Sequence, residues 1–125
     1  MNMRLLIADD NRDMATSLSL LLRPHGFEIE TAYDGGQAIE KALRFHPDVL
    51  ILDLCMPILG GFEVASQLRA IPEFADKHFI AITGYKDDKH LDQASQSQFN
   101  EYLVKPFRFD KLSAILHQVS SRLSP

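Results

Sequence analysis

Four short apolar runs of the chain each end in side chains that can carry out chemistry. The runs are Leu5–Ala8, Val49–Leu52, Phe79–Ile82 and Tyr102–Val104. The polar residues that follow them are, in the same order, Asp9 with Asp10, Asp53, Thr83, and Lys105. If one sheet brought the ends of these runs together, three carboxylates, one hydroxyl and one ammonium would share a single site.

Such a set of side chains favours a hard divalent cation. Crowded carboxylates raise one another's pKa values unless a positive charge joins them. Carboxylates, a backbone carbonyl and water suit Mg²⁺, which seldom takes a cage made only of protein ligands. No cluster of histidines or cysteines indicates zinc. The five histidines are scattered along the chain and are interpreted as solvated surface: His25, His46, His78, His90 and His117.

The elements that must position these residues alternate along the chain as five strands and five helices. Continuous apolar runs are typical of strands buried on both faces of a parallel sheet, whereas Phe27–Thr31 alternates and predicts an edge strand. The pattern predicts an α/β fold, a (βα)5 doubly wound parallel sheet with strand order 2-1-3-4-5. This is a flavodoxin-like three-layer sandwich, with strand 2 at one edge.

Apolar residues at helical spacing predict four helices with a buried face. The four faces are Met14, Leu18, Leu21 and Leu22; Ile39, Ala42 and Leu43; Val64, Leu68 and Ile71; and Leu112, Ile115, Leu116 and Val119. A further helix, the fourth in chain order, is predicted over Asp87–Gln98. It offers only Leu91 and Ala94 to the core, so we expect it to be the helix most easily displaced.

Length and charge exclude several classes of protein. The 125 residues predict one domain spanning 1–125, with a last helix from about Phe109 to Leu123 and no effector domain after it. A net charge of -4 without a basic stripe argues against direct nucleic-acid binding. The single Cys55 excludes an internal disulfide and fits a reducing cytoplasm. No apolar stretch approaches the ~20 residues that a membrane span needs.

A carboxylate at the end of a central strand can also act as a nucleophile. It forms an aspartyl-phosphate when a metal ion and an ammonium neutralise the charge of the phosphoryl donor. Asp53 is best placed for this role. Asp9 and Asp10 would hold metal on one side of it, and Thr83 and Lys105 would reach phosphoryl oxygens on the other.

These residues resemble one family, the receiver domains of two-component response regulators, with the chemotaxis regulators among them. The resemblance spans nearly the whole chain and depends on the order and spacing of five motifs. The motifs are Ile7–Asn11, Leu50–Pro57, Gly60-Gly61, Ala81–Gly84 and Leu103–Phe107. It implies that the chain is a receiver for phosphoryl groups and not an enzyme acting on other molecules, beyond its own phosphoryl uptake and hydrolysis.

The resemblance implies a role for each acidic residue. Asp53 is expected to be the phosphoacceptor. The side chains of Asp10 and Asp53, with the backbone carbonyl of Cys55, are expected to ligate Mg²⁺. Asp9 is expected to act through a metal-bound water that it orients.

Further roles follow from the resemblance alone. Lys105 is expected to pair with the acyl phosphate, and its peptide bond to Pro106 to be cis. Thr83 is the expected switch hydroxyl, and Tyr102 the aromatic that turns inward behind it. Phosphorylation would then change the surface formed by the fourth helix, the fifth strand and the last helix.

Two positions beside the phosphorylation site are expected to set the phosphoryl lifetime. Cys55 lies two residues after Asp53, and Tyr85 lies two residues after Thr83. Neither side chain positions a water well, and bulky Tyr85 is expected to shield the acyl phosphate from attack by water.

Competing classes of function make different demands on the sequence. An aspartate-nucleophile phosphatase would want a second acid where Cys55 stands. A flavin-binding protein would want a hydroxyl-rich phosphate loop in place of Asp9–Asn11. A receiver-like module that binds partners without phosphorylation would have lost an acid or the lysine, and none is lost. This module and the receiver portion of a hybrid sensor kinase remain the alternatives.

The expected partners follow from the same resemblance. A histidine kinase or a histidine phosphotransfer protein would supply the phosphoryl group, and a downstream effector protein or domain would sense the change. Direct nucleic-acid binding and membrane insertion are not expected, and the expected location is the cytoplasm.

Overall fold

The computed structural model describes residues 2–84 and 98–123. Five parallel strands form one sheet in the order β2-β1-β3-β4-β5, which confirms the predicted α/β class and strand order. The strands are β1 (Arg4–Ala8), β2 (Glu28–Ala32), β3 (Val49–Asp53), β4 (His78–Thr83) and β5 (Glu101–Val104). Each predicted apolar run lies inside a strand, and the true strands extend one or two residues further.

A helix follows each of β1, β2, β3 and β5, and the first two helices begin after residues whose side chains cap them. The helices are α1 (Arg12–Leu22), α2 (Gly35–Phe45), α3 (Gly61–Arg69) and the C-terminal helix (Phe109–Leu123), with short 3-10 turns at Arg23–His25 and Pro72–Phe74. Asn11 accepts a hydrogen bond from the Met14 amide, and Asp34 caps α2 in the same way. The helix predicted over Asp87–Gln98 lies, apart from its last residue, outside the described residues.

The sheet divides the apolar interior into two clusters because successive side chains of a strand point to opposite faces. In β1, Leu5 and Ile7 contribute to one cluster, and Leu6 and Ala8 to the other. The first cluster packs against α1 and the C-terminal helix, and the second against α2 and α3. All five residues of β3 are buried, as expected for the central strand, while the edge strand β2 buries only Ile29 and Ala32.

Two helical faces differ from the prediction. Leu21 and Leu43, predicted to face the core, are 52% and 46% exposed. Helix α1 instead buries Ala15, Leu18 and Leu22, residues whose spacing places them on one stripe of the helix. Consecutive leucines at 20, 21 and 22 gave no way to choose the correct stripe from sequence.

The prediction that the histidines are all solvated surface was wrong in part. The His78 side chain is only 11% exposed, and burial lowers its pKa even though Glu101 nearby opposes this. His25 and His117 contact each other through ring nitrogens 3.0 Å apart. His90 lies outside the described residues.

One arginine joins the end of α3 to the loops at the N-terminal end of β4. The Arg69 guanidinium stacks 4.1 Å from the centre of the Phe79 ring and donates hydrogen bonds to several carbonyl oxygens. The main acceptors are Gln98 O (3.0 and 3.1 Å), Ala75 O (2.8 Å), Lys77 O (3.0 Å) and Asn100 Oδ1 (3.0 Å). Burial lowers the pKa of Arg69, although nearby Asp76 opposes the shift.

In the part of the chain that the structure describes, no helix is both long and apolar enough to cross a membrane.

Candidate functional site

The predicted polar residues lie at the carboxyl ends of four adjacent strands. Asp9 directly follows β1, Asp53 is the last residue of β3, and Thr83 is the last residue of β4. Lys105 directly follows β5, and its amide donates to the Thr83 carbonyl at 2.7 Å. Because the strands are parallel, their carboxyl ends meet at one edge of the sheet, where open α/β sheets bind ligands.

Three carboxylates form an acidic cluster at this edge. Each of Asp9, Asp10 and Asp53 offers an oxygen atom, and these atoms lie within 4.8 Å of one another. Asp9 and Asp53 are buried, with 1% and 4% of their surface exposed, whereas Asp10 is exposed. Within residues 2–84 and 98–123 this is the only group of three or more acidic, histidine or cysteine side chains that could hold a metal ion.

A single ammonium reaches both buried carboxylates. Lys105 Nζ donates to Asp9 Oδ2 at 3.1 Å and to Asp53 Oδ2 at 3.4 Å. The other oxygens of the two carboxylates accept backbone amides two residues later in the chain, at 3.0 Å each. These amides are Asn11 N for Asp9 and Cys55 N for Asp53. In each carboxylate, therefore, one oxygen accepts from Lys105 and the other accepts from a backbone amide.

The surroundings of Asp53 oppose its ionisation. Burial raises the pKa of Asp53 from 3.8 to about 6, and neighbouring Asp9 adds to this increase. The Cys55 amide and the Lys105 ammonium lower the pKa but do not offset burial. For Lys105, burial alone would lower the pKa, but the hydrogen bond to Asp9 and the charge of Asp53 raise it overall. The three carboxylates thus carry more negative charge than the single ammonium of Lys105 can neutralise.

The backbone around Asp53 leaves no room for a side chain on the first residue of the following helix. A Cβ atom added at Gly61, the first residue of α3, would lie 2.6 Å from the Asp53 carbonyl oxygen. Glycine at this position lets the start of α3 approach the end of β3 closely.

After β5, the Lys105–Pro106 peptide bond is cis, as the resemblance implied.

The remaining predicted residues differ in how deeply they are buried. Thr83 is buried at the end of β4 and Cys55 is exposed. Tyr102 is half-buried in β5 and packs edge-on against Phe99, with ring centres 5.9 Å apart. Its hydroxyl is buried and has no hydrogen-bond partner among the described residues. Tyr85 lies outside the described residues.

One residue pair at this edge was not anticipated. The Arg12 guanidinium lies 4.0 Å from the centre of the ring of Tyr33, the residue that follows β2. The Tyr33 hydroxyl in turn hydrogen-bonds Thr31 Oγ1 at 2.9 Å. The position of Arg12, two residues after the acid pair, was the available signal for a cation at this edge.

Comparison with known families agrees with this arrangement. The family model described as response regulator receiver domain matches residues 5–117. The chain belongs to the response regulator receiver domain family. It is 36% identical over 111 residues to the transcriptional regulatory protein PrrA of Mycobacterium leprae, covering 89% of this chain and 47% of that protein. This receiver domain thus spans about half the length of the curated relatives that it matches.

Solved receiver structures superpose on the chain over nearly its full length. The receiver domain of the sensor histidine kinase PA1611 from Pseudomonas aeruginosa, solved with magnesium in its active-site cleft, is 27% identical with a TM-score of 0.86. That comparison covers 96% of this chain and 99% of the other. The response regulator TrrA from Thermotoga maritima, solved with Mg²⁺ and BeF, is 33% identical with a TM-score of 0.83, covering 94% and 98%.

Proposed function

We propose that this receiver domain takes a phosphoryl group onto Asp53. The observation that carries the proposal is the position of Lys105 Nζ, which lies within 3.4 Å of oxygens of two buried carboxylates at the carboxyl edge of the sheet. In the proposed step, an Asp53 oxygen bonds to phosphorus while the bond from phosphorus to the donor's leaving atom breaks. The leaving group departs with that electron pair and is then protonated.

The donor set of the site fits Mg²⁺. Three carboxylates with oxygens within 4.8 Å of one another are hard ligands, and the raised pKa of Asp53 reflects burial and a neighbouring anion. We propose that Asp10, Asp53 and the Cys55 carbonyl hold the ion, with Asp9 acting through a metal-bound water. When bound, Mg²⁺ supplies positive charge that offsets the charge of the phosphoryl oxygens.

The chain's own residues would then stabilise the product. Lys105 donates to both buried carboxylates, and this supports the proposal that its ammonium pairs with a phosphoryl oxygen on Asp53. The Thr83 hydroxyl, at the end of the adjacent strand, would donate to a second phosphoryl oxygen. Asp9 would hold Lys105 in place, because it is the nearer of that ammonium's two carboxylate partners.

Phosphorylation is proposed to shift a surface of the domain between two states. The Lys105 amide donates to the Thr83 carbonyl, and Tyr102 lies in β5, three residues before Lys105. We propose that movement of Thr83 toward the phosphoryl group is accompanied by inward rotation of Tyr102. The surface affected would comprise the helix predicted over Asp87–Gln98, β5 and the C-terminal helix.

The partners proposed for this domain follow from its family. A cytoplasmic histidine kinase or histidine phosphotransfer protein would donate the phosphoryl group, and an effector protein or domain would sense the altered surface. The chain would catalyse only its own phosphoryl uptake and loss. Its net charge of -4 supports the absence of direct nucleic-acid binding by this domain.

The phosphoryl lifetime is proposed to depend on Cys55 and Tyr85. Cys55 is exposed beside the site, with its amide on Asp53 Oδ1. A Cys55→Asn substitution introduces an amide that can position a water molecule, so we expect faster loss of the phosphoryl group. Tyr85→Ala should also speed this loss by removing a bulky side chain.

The decisive experiment measures phosphoryl transfer from a small donor. The protein is incubated with Mg²⁺ and acetyl phosphate or phosphoramidate, and its intact mass is recorded over time. We expect one added phosphoryl mass, which is absent in Asp53→Asn and after chelation but unchanged in Asp13→Asn, an exposed carboxylate on α1. An unmodified wild-type chain, or equal modification of Asp53→Asn, would contradict the proposal and favour a module that works without phosphorylation.

A further inference from the structure

Two histidines far apart in sequence meet on the surface away from the acidic cluster. His25 ends the 3-10 turn that precedes β2, and His117 lies in the C-terminal helix. His25 Nδ1 and His117 Nε2 are 3.0 Å apart, and both residues are exposed. One of these nitrogens must be unprotonated, because a hydrogen bond between two imidazoles needs one donor and one acceptor.

Aromatic rings support this histidine pair. The His25 ring stacks nearly parallel to Phe27, with ring centres 6.2 Å apart, and lies 5.9 Å from Phe109. The His117 ring lies 5.6 Å from Phe27, which is buried. The two imidazoles are therefore positioned by packing against the body of the domain, which lowers the entropy lost when both bind one ligand.

The geometry points to a binding site for a late first-row transition metal ion, with His25 Nδ1 and His117 Nε2 as its two protein ligands. Two imidazole nitrogens on a tetrahedral zinc ion, each at about 2.0–2.1 Å, lie about 3.3 Å apart. The observed 3.0 Å is close to this separation. Rotation of the two exposed rings, which breaks their mutual hydrogen bond and turns both lone pairs toward a common point, would admit the ion. Neutral imidazole suits Zn²⁺, Cu²⁺ and Ni²⁺ and disfavours Mg²⁺. Water would fill the other coordination positions.

This site would differ from the acidic cluster in both chemistry and position. Its ligands come from the turn before β2 and from the C-terminal helix, whereas the acidic cluster lies at the carboxyl ends of the strands. A bound ion would bridge these two segments, so metal binding should stabilise the fold in proportion to the logarithm of metal concentration above its Kd. The proposal does not depend on phosphorylation of Asp53.

The test is a calorimetric titration of ZnCl2 into tag-free protein in saturating Mg²⁺, which occupies the acidic cluster. We expect one Zn²⁺ per chain, with affinity reduced at least tenfold in His25→Gln and in His117→Gln. The matched control is His46→Gln, an exposed histidine that pairs with Glu73 elsewhere on the surface, and it should bind as the wild type does.

A second measurement identifies the ligands without any substitution. In imidazole ¹⁵N spectra of the wild-type protein, Zn²⁺ should shift the ring signals of His25 and His117 and leave those of His46 and His78 in place. Absence of Zn²⁺ binding in Mg²⁺, unchanged affinity in both glutamine variants, or shifts confined to other histidines would overturn the proposal.

Discussion

The Lys105 ammonium lies closer to Asp9 than to Asp53, at 3.1 Å against 3.4 Å. Asp53 is therefore the more weakly neutralised of the two buried carboxylates that share this cation. Its pKa of about 6, raised mainly by burial, agrees with that geometry. The carboxylate proposed as phosphoacceptor is thus the one that gains most from additional positive charge.

Replacing Asp53 by asparagine should stabilise the domain at neutral pH when divalent ions are absent. The folded-state pKa lies above the unfolded value of 3.8, so ionisation of Asp53 costs stability as pH rises from about 4 to about 6. We expect Asp53→Asn to raise the free energy of unfolding by about 1–3 kcal/mol at pH 7.5. Urea unfolding across this pH range should show the gain shrinking toward zero near pH 4, where folded Asp53 is protonated.

The exposed carboxylate Asp13 provides the control for that experiment. Asp13→Asn should change stability by less than about 0.5 kcal/mol. A less stable Asp53→Asn protein at pH 7.5, or a gain that does not depend on pH, would contradict the assigned pKa shift.

Magnesium should stabilise the wild-type chain through the acidic cluster. At ten times its Kd, a ligand that binds only the folded state adds about 1.4 kcal/mol to the free energy of unfolding. Thermal unfolding should therefore show a Tm that rises with Mg²⁺ and returns with chelator. The rise should be lost in Asp53→Asn and reduced in Asp10→Asn, while equal rises in all three proteins would place the ion elsewhere.

Substituting Arg69 should destabilise the domain, because this side chain joins the end of α3 to the segments before β4 and β5. Lysine has three donors and no planar fork, so Arg69→Lys cannot satisfy the carbonyls of Gln98, Ala75 and Lys77 together. We expect a loss of about 2–3 kcal/mol in unfolding free energy, measured by urea denaturation. The control Arg44→Lys, in an exposed pair with Glu40, should cost less than about 0.5 kcal/mol, and equal losses would refute the role of Arg69.

Removing the Tyr102 hydroxyl should not destabilise the domain. The hydroxyl is buried and unpartnered among the described residues, so Tyr102→Phe relieves a desolvation cost and should add about 1 kcal/mol of stability. Tyr33→Phe is the matched control, because its hydroxyl bonds Thr31 Oγ1, and it should lose about 1 kcal/mol. A loss in Tyr102→Phe equal to that in Tyr33→Phe would show that Tyr102 has a partner.

Alanine at Gly61 should disturb the site through the backbone. The added methyl would lie 2.6 Å from the Asp53 carbonyl oxygen, so α3 must move away, at a cost of about 1–3 kcal/mol. At Gly36, in the first turn of α2, the nearest atom to an added methyl is an Asp34 side-chain oxygen at 3.3 Å. Gly36→Ala should therefore cause no loss of stability, and similar melting temperatures for both variants would argue against the close approach.

The sheet and the acidic cluster could be predicted because each depends on local patterns. Continuous apolar runs indicated buried strands, and the alternating sequence of Phe27–Thr31 indicated an edge strand. The stripe of α1 could not be chosen, since Leu20, Leu21 and Leu22 are equally apolar and only packing distinguishes them. Contacts such as His25 with His117, 92 residues apart, have no periodic signature and depend entirely on how the elements dock.

The hydrogen bonds of Lys105 join residues 96 and 52 positions apart, from the ends of three different strands. A fragment or folding intermediate that lacks β1, β3 or β5 cannot form the site. The proposed chemistry is consequently conditional on complete folding. A chain that lacks one of these strands, or in which one is unfolded, would not accept a phosphoryl group. The topology therefore restricts phosphorylation to fully folded molecules.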